Sequence, residues 1–376
     1  MIKFLDLQKI NLQYQEQFQE KLKLVLDKGW FILGDEVKQF ERNFASYCGA
    51  KYCIGVGNGL DAIVLILKGY IVLGKLKKGD EIIVPANTYI ASILAILQAD
   101  LVPILVEPNV ETYNINPNLI EEKITSKTKA ILPVHLYGQL CEMDKINEIA
   151  KKYNLLVVED AAQAHGTKHS ELSNQSQFSV TRNPQLETQN ASAYSFYPGK
   201  NLGALGDGGA ITTDDENLYK AILSLRNYGS EKKYHNEFIG VNSRLDELQA
   251  AFLNVKLSIL DSDNDKRRSI ASRYLKEIKN DKIKLPFWDF SNNHVFHLFV
   301  VRTDNRQELQ DYLLKNTIET VIHYPIPPHK QKCFQSWNSL SFPITEKIHD
   351  EVLSLPISPV MTSEEVDYVI QIINTY

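Results

Sequence analysis

Between residues 50 and 215 the chain alternates short β-rich runs with amphipathic segments of helix length, and this alternation constrains the fold more than any other feature. Parallel strands that are joined by crossover helices produce this pattern. The runs 131–134 and 155–158 are almost continuously apolar, which is typical of strands that helices cover on both faces. The sequence therefore predicts an α/β fold with a doubly wound, mostly parallel sheet.

The predicted elements follow one another in a regular order. Helical periodicity dominates after residue 214, and a further strand and helix follow near the C-terminus. The predicted strands are 51–56, 81–85, 102–106, 129–134, 155–159, 193–196, 209–213 and 297–302. The predicted helices are 60–73, 89–98, 143–153, 216–226, 244–260, 266–280 and 307–315.

The chain is long enough for two domains. Its 376 residues exceed the size at which one hydrophobic core usually stops growing. Pro286 lies in a loop-like stretch before the last predicted strand, which indicates a smaller unit there. We predict a large domain at 1–260, with a helical N-terminal segment at 1–48, and a small α+β domain at 261–376. Segment 168–190 is rich in Ser, Asn, Gln, Thr and Glu and predicts a mobile surface loop.

Composition and charge exclude several classes of function. Hydrophobic residues make up 44% of the chain and charged residues 23%, and the net charge of -5 leaves no polybasic face for a nucleic-acid partner. The N-terminus lacks a secretory signal, and the apolar window 91–97 is far shorter than the roughly 20 residues of a membrane span. Four cysteines without CxxC spacing indicate neither a metal site nor a disulfide framework. We expect a cytoplasmic protein with no membrane partner.

A glycine-rich loop at 55–61 leaves the first predicted strand and opens the helix that follows it. Free backbone N–H groups at such a helix start can hold an anionic phosphate. The spacing is not that of a Walker loop, and it misses the full GxGxxG pattern because Ala62 stands at the last glycine. The loop is therefore either a phosphate cradle or a tight strand-to-helix connection.

Two further strand ends carry aromatic or polar residues at the edge where open α/β sheets bind ligands. Tyr89 stands at a helix start, where its ring either stacks on a flat ligand or packs against apolar neighbours. Asp160, Gln163 and His165 place a carboxylate, an amide and an imidazole after the fifth strand. Glu159 and Asp160 point to opposite faces of a strand, so we expect only one of them to reach the site. His165 is either a site residue or a buried structural histidine.

Lys200 follows the sixth predicted strand, directly after a Pro-Gly pair. A Schiff-base cofactor needs one amine to hold its aldehyde and one carboxylate to keep its pyridine nitrogen protonated. Lys200 and Asp160 together supply these two groups and indicate pyridoxal phosphate chemistry. Alone, a lysine in such a loop is usually a solvated surface residue.

Four separated motifs carry a resemblance to a known family. Residues 57–62, 159–166, 195–209 and 242–250, in this order, resemble the sugar aminotransferases of the DegT/DnrJ/EryC1/StrS family. The resemblance extends over nearly the whole chain. It implies the type I fold of pyridoxal-phosphate-dependent transferases, with a large cofactor-binding domain and a smaller C-terminal domain.

The resemblance also implies roles for individual residues. Lys200 would form the Schiff base, Asp160 would pair with the pyridine nitrogen, and Gln163 would contact the ring hydroxyl. Asn242 would reach the phosphate of the neighbouring subunit's cofactor, which implies a homodimer with shared active sites. The remaining implied contacts are those of Gly59, Leu60 and Ser195 with the phosphate and of Tyr89 with the ring.

The segment around His323 and Tyr324 also resembles family members, in which this region faces the substrate. The resemblance places His323 and Tyr324 near the sugar. The alternative is a rigid proline-rich loop with packed aromatic rings. Arg244 either pairs with the carboxylate of the amino donor or a nucleotide phosphate, or only ties down Asp246 or Glu247.

The residues around Lys200 are most similar to family members that aminate C3 of dTDP-linked 3-keto-6-deoxyhexoses. We therefore predict transfer of an amino group from L-glutamate, through a pyridoxamine phosphate intermediate, to a dTDP-3-keto-6-deoxyhexose. The galacto or gluco configuration of the product, a dTDP-3-amino-3,6-dideoxyhexose, stays open because one pocket contact discriminates weakly. The alternatives are amination at C4 of a nucleotide-linked keto sugar and a non-catalytic, cofactor-binding regulator. A dehydratase is disfavoured because relatives of that kind carry histidine in place of Lys200.

Overall fold

The computed structural model describes residues 1–168, 190–232 and 234–376. Apart from its two end residues, the loop predicted at 168–190 lies outside the described residues. Within those ranges, the α-helices are α1 (Leu7–Leu12), α2 (Gln15–Lys28), α3 (Asp35–Cys48), α4 (Gly59–Val72), α5 (Ile90–Gln98), α6 (Met143–Tyr153), α7 (Glu216–Leu225), α8 (Glu247–Leu257), α9 (Leu260–Glu277), α10 (Arg306–Lys315), α11 (Pro343–Glu351) and α12 (Ser363–Asn374). The strands are β1 (Tyr52–Val56), β2 (Glu81–Pro85), β3 (Val102–Val106), β4 (Thr128–Ile131), β5 (Leu156–Asp160), β6 (Ala191–Ser195), β7 (Gly209–Thr213), β8 (Ser230–Lys232), β9 (His235–Asn236), β10 (Phe299–Arg302) and β11 (Val352–Leu355).

The central sheet has seven strands in the order β1-β7-β6-β5-β4-β2-β3. The five strands from β6 to β3 in this order run parallel, whereas β7 is antiparallel to both β1 and β6. In the β5–β6 pair Asp160 lies opposite Ala193, so both strands end at the same edge of the sheet. The predicted α/β fold with a mostly parallel sheet is confirmed.

The strands of the central sheet lie within three residues of their predicted bounds. The fourth ends at Ile131 rather than at residue 134, since Pro133 has no N–H group to donate to the ladder. Helix α9 begins at Leu260 instead of residue 266, because the buried face of its first turns is polar and shows no apolar periodicity. The polar residues of that face are Asp263, Asn264 and Arg267.

Hydrophobic clusters cover both faces of the sheet. One cluster is built around the buried residues of α4, and a second contains Phe40 and Phe44 of α3. In β6, Ala193 belongs to the first cluster and Tyr194 to the second, which places the two clusters on opposite faces. This cover explains why the strands are apolar on both sides.

A separate hydrophobic cluster lies towards the C-terminus. It draws on residues between 270 and 373 and on Ile2 near the N-terminus. Its large members include Tyr274 of α9 and Phe299 of β10, whose rings contact edge to face with centroids 5.0 Å apart. The predicted domain boundary at residue 260 stays a prediction.

The described parts of the chain contain no membrane-spanning helix and no metal-binding cluster. No helix there is long and apolar enough to cross a membrane. In the same ranges, no group of three or more His, Cys, Asp or Glu side chains could hold a metal ion. The four cysteines are free thiols, and Cys333 is exposed.

Helix α3 receives its N-terminal cap from a distant part of the chain. Its N-cap residue, Gly34, has no side chain that could accept the first N–H groups. The buried carboxylate of Glu247, at the start of α8, accepts from the backbone N–H groups of Gly34, Glu36 and Val37 at 2.7, 3.0 and 2.9 Å. Negative charge at a helix N-terminus is favourable, so this contact stabilises α3 and joins it to α8.

We expect Glu247→Ala to lower the free energy of unfolding by about 3 kcal/mol, because three backbone N–H groups lose a charged acceptor. Glu216→Ala is the matched control. Glu216 also lies in the first turn of a helix, α7, but its side chain is exposed and pairs with Lys220, so its loss should change stability by less than about 0.5 kcal/mol. Urea unfolding followed by circular dichroism measures both variants, and equal effects would refute the capping role.

Candidate active site

Asp160 ends β5 with its carboxylate buried and held from two sides. The residue is 7% exposed. Ser92 of α5 donates its hydroxyl to Asp160 Oδ2 at 2.7 Å, and the Ala162 N–H group donates to Oδ1 at 3.1 Å. Thr88 lies 2.8 Å from Ser92 Oγ and extends the network to the loop after β2. These contacts fix the carboxylate at the carboxyl edge of the sheet.

Glu159, the neighbouring carboxylate, makes different contacts. It is fully buried, and it binds His135 Nε2 at 3.0 Å and Asn190 Nδ2 at 2.8 Å. The Cys141 N–H group donates to His135 Nδ1 at 3.2 Å, so His135 carries its proton on Nε2 and donates it to Glu159. The two carboxylates thus separate as the strand alternation predicts, and Glu159 belongs to a buried polar network.

Lys200 lies in the loop that follows β6 and is half-buried. Its backbone N–H group donates to the Tyr197 carbonyl at 2.8 Å, which closes a turn. Burial lowers the pKa of the Lys200 amine to about 8, although the Asp160 charge acts in the opposite direction. A lysine with this pKa is partly neutral near pH 7 to 8, which is the state that attacks a carbonyl.

Three histidines near Lys200 are held neutral. Burial, followed by the Lys200 charge, lowers the pKa of His323 to about 4 and that of His165 to about 3. The same two causes, with smaller contributions from other cations, hold the pKa of His297 well below its usual range. The amine of Lys200 therefore shares its surroundings with imidazoles that carry no charge at neutral pH.

The start of α4 forms a cradle for an anion. Asn58 caps the helix by accepting from the Asp61 N–H group at 2.8 Å, and the N–H groups of Gly59 and Leu60 belong to the first turn, where no helical carbonyl is in reach. Gly59 packs directly on Ser195, because a Cβ at this glycine would lie 2.6 Å from Ser195 Cβ. The helix start and the Ser195 hydroxyl therefore meet in a place that suits a phosphate.

Gln163 connects the strand edge to the C-terminal part of the chain. Its Oε1 accepts from the Tyr137 N–H group at 2.6 Å, and its Nε2 donates to the Tyr324 hydroxyl at 3.1 Å. The Tyr324 ring lies 4.9 Å from that of Tyr89, centroid to centroid. Tyr137 also donates its hydroxyl to the His323 carbonyl. The structure thus brings Gln163, Tyr89, His323 and Tyr324 into one network.

Asn242 and Arg244 make contacts of another kind. Asn242 is exposed and forms an isolated antiparallel bridge with Asn227. Arg244 donates to Asn227 Oδ1 at 2.8 Å, and its guanidinium lies 5.5 Å from the centre of the Tyr228 ring. These contacts do not lead to Lys200 or Asp160, and Arg244 pairs with Asn227 rather than with Asp246 or Glu247.

His165, the predicted imidazole after β5, is fully buried between two aromatic rings. Its ring centre lies 5.6 Å from that of Tyr194 and 5.7 Å from that of Phe196. Its backbone carbonyl accepts from Asn264 Nδ2 at 2.8 Å. Neither of its ring nitrogens has a hydrogen-bond partner among the described residues, and its role stays a prediction.

The sequence patterns did not identify Ser92 and Asn264, two residues that contact the Asp160 and Lys200 motifs. Ser92 lies in the first turn of α5, three positions after Tyr89, and its nearness to this predicted site residue is the signal that could have suggested it. Asn264 lies on α9, far along the chain from both motifs that it contacts. No local pattern marks it, since asparagine within a polar stretch of a helix usually faces solvent.

The sequence pattern of the DegT/DnrJ/EryC1/StrS aminotransferase family matches residues 12–374. This chain belongs to that family. A relative from Aneurinibacillus thermoaerophilus, dTDP-3-amino-3,6-dideoxy-alpha-D-galactopyranose transaminase, is 59% identical over 393 aligned positions, which cover 100% of this chain and 99% of the relative. The predicted family is confirmed.

Two solved structures resemble this aminotransferase. Streptomyces venezuelae DesV, solved in complex with a ketimine intermediate, has a TM-score of 0.93 and 40% identity, and the match covers 100% of this chain and 98% of DesV. Bacillus subtilis NtdA, with bound cofactor PMP, has a TM-score of 0.88 and 35% identity, and the match covers 98% of this chain and 83% of NtdA. The family consists of pyridoxal-phosphate-dependent aminotransferases, so the predicted enzyme class is also confirmed.

In the cofactor-free aminotransferase, acylation of Lys200 should rise with pH and reach half its maximum near pH 8, because only the neutral amine reacts. Asp160→Asn should move this midpoint to lower pH, since the Asp160 charge opposes the larger effect of burial. Mass spectrometry of the Lys200 peptide after short acetic anhydride pulses gives both midpoints. A midpoint near the value of about 10.4 for exposed lysines, or an upward shift in the variant, would contradict this electrostatic account.

Proposed function

We propose that this enzyme transfers the amino group of L-glutamate to C3 of dTDP-3-keto-6-deoxygalactose and releases dTDP-3-amino-3,6-dideoxygalactose. The main support for this proposal is one set of groups at the sheet edge. The Lys200 amine has a pKa of about 8, and it accompanies the Asp160 carboxylate and the anion cradle at the start of α4. The name of the 59% identical relative supports the galacto configuration.

The residues at the sheet edge fit pyridoxal 5'-phosphate. Asp160 supplies a fixed carboxylate for the pyridine nitrogen, and Lys200 supplies the amine. When bound, the cofactor supplies an electron sink that stabilises negative charge at the carbon next to the transferred nitrogen. The other proposed contacts are those of Gly59, Leu60 and Ser195 with the phosphate, of Gln163 with the ring hydroxyl and of Tyr89 with the ring face.

Lys200 has two tasks in this proposal. Its neutral Nζ would hold the cofactor and would be released once the amino donor is bound. The released Nζ accepts the proton from the α-carbon of glutamate and later returns a proton to the sugar carbon. A pKa of about 8 suits both directions of proton transfer near neutral pH. Ser92 and the Ala162 N–H group hold the Asp160 carboxylate in place throughout.

His323 and Tyr324 are proposed to face the sugar. Burial raises the pKa of the Tyr324 hydroxyl above its usual value, so this group keeps its proton at neutral pH. Its oxygen accepts from Gln163 Nε2, which leaves its O–H free to donate to a sugar oxygen. His323 Nδ1 binds Ser354 Oγ at 2.9 Å, and this contact orients Nε2. A role for Arg244 in binding the donor's carboxylate or a nucleotide phosphate stays a prediction.

We also propose a homodimer with shared active sites, in which Asn242 reaches the phosphate of the partner's cofactor. Asn242 is exposed in the single chain. Trp30, Tyr234 and Ile239 are large apolar residues that are also mostly exposed, and such residues commonly mark protein interfaces. The cytoplasmic location stays an expectation.

A panel of keto sugars tests the substrate. With L-glutamate and pyridoxal phosphate, we expect the purified enzyme to aminate dTDP-3-keto-6-deoxygalactose at C3, with less turnover of the gluco epimer and none of a dTDP-4-keto sugar. Mass spectrometry and NMR identify the products. A C4-amino product would support the alternative position, and a protein that binds the cofactor without forming any amino sugar would support the regulator.

Lys200→Ala should lower turnover by at least about a thousandfold, because one substitution removes both the Schiff-base amine and the proton carrier. Part of the cofactor affinity should remain, since the phosphate cradle and Asp160 are untouched. Lys78→Ala, at an exposed lysine that pairs with Asp100, is the control and should behave as the unchanged enzyme. A near-normal rate in Lys200→Ala would overturn the assignment.

Gly59→Ala should weaken binding of pyridoxal phosphate about tenfold or more, because the added methyl group would lie 2.6 Å from Ser195 Cβ and displace the helix start. Gly199→Ala is the matched control within the same region, since its added methyl group would meet no atom closer than 3.6 Å. Absorbance titration with pyridoxal phosphate measures both affinities. Equal affinities would argue against a phosphate at this helix start.

A further inference from the structure

Asn264, in the second turn of α9, is fully buried and uses both halves of its amide. Its Oδ1 accepts from Asn201 Nδ2 at 2.8 Å, and its Nδ2 donates to the His165 carbonyl at 2.8 Å. Asn201 directly follows Lys200, and His165 lies in the loop that follows Asp160. One side chain therefore binds both the loop that carries the amine and the loop that directly follows the carboxylate at the end of β5.

The contact with the Asp160 loop is tight. Gly166 has a φ of +89°, a conformation that favours glycine, and a Cβ there would lie 2.5 Å from Asn264 Nδ2. The same Cβ would lie 2.5 Å from the Tyr47 hydroxyl. Only glycine, which has no side chain, lets the loop backbone come this close to the Asn264 amide.

On the Lys200 loop, further hydrogen bonds hold the Asn201 side chain in place. Asn201 Nδ2 donates its second hydrogen to the Val295 carbonyl at 3.0 Å, and Asn201 Oδ1 lies 3.2 Å from His297 Nδ1. Because an amide oxygen only accepts, His297 is the donor in this bond. With three contacts on one short side chain, the residue next to Lys200 has a single orientation.

We propose that Asn264 is a positioning residue that sets the spacing between Lys200 and Asp160 by holding the Lys200 loop to the loop that directly follows Asp160. This inference deepens the proposed function and rests on it. The physical reason is that the His165 carbonyl and one N–H of the Asn201 amide would each lose a hydrogen-bond partner if Asn264 were apolar. The loops would then rearrange to reach water, and the amine would move relative to the carboxylate.

The test uses Asn264→Ala, Asn201→Ala, the double variant and Asn254→Ala. Asn254, on α8, is a matched control because its Oδ1 accepts from an asparagine amide, that of Asn43, and its Nδ2 donates to a backbone carbonyl, that of Glu36. The first measurement is the pH midpoint of Lys200 acylation in the cofactor-free protein. The second is the Kd for pyridoxal phosphate.

In Asn264→Ala and in Asn201→Ala, we expect the Lys200 midpoint to move up from about pH 8, because water reaches the amine and reduces the effect of burial. The Kd for pyridoxal phosphate should rise about tenfold, as expected for the loss of one or two buried hydrogen bonds. The double variant should change both quantities by less than the sum of the single variants, because the two residues act through one bond. Asn254→Ala should change neither.

Unchanged midpoints, additive effects, or an equal change in Asn254→Ala would overturn the positioning role. Asn201→Ala removes the other partner of the same hydrogen bond. If Asn264→Ala does not fold, the acylation midpoint and the Kd of Asn201→Ala therefore test the positioning role. The acylation midpoint needs no cofactor. A wild-type protein that fails to bind pyridoxal phosphate would therefore overturn the proposed function, while the midpoints would still test the link between the loops.

Discussion

Strands β5 and β6 pair in parallel, with Asp160 opposite Ala193, and the candidate site depends on this pairing. Both strands end at the same edge of the sheet, so the carboxylate at the end of one and the loop after the other enter the same space. Lys200 comes five residues after Ser195, the last residue of β6. The cradle at Gly59 joins them because a Cβ there would touch Ser195.

The reactivity of the site arises from a balance between burial and charge. Burial alone favours a neutral Lys200 amine, and the Asp160 carboxylate favours a charged one. The outcome, a pKa of about 8, requires that Asp160 itself is held in place, and Ser92 and the Ala162 N–H group hold it. The neighbouring histidines contribute no positive charge at neutral pH.

Much of the fold followed from local pattern. The strands of the central sheet were predictable because apolar runs and crossover helices leave a signal within ten or so residues of each strand. The antiparallel placement of β7 between β1 and β6 could not be predicted from the sequence, because strand order depends on contacts between distant segments. The start of α9 was missed because its buried face carries Asp263, Asn264 and Arg267, which bind distant polar groups instead of packing as apolar residues.

The sequence by itself determined the chemical groups and their order: a glycine-rich helix start, Asp160 after one strand and Lys200 after the next. These are local properties, because residue type and strand alternation do not depend on the rest of the chain. Only the tertiary structure decided that Glu159 turns to His135 while Asp160 turns to Ser92, and that Asn264 joins the two loops. The physical reason is that each of these contacts joins segments far apart in sequence, whose separation is set by packing of the whole domain.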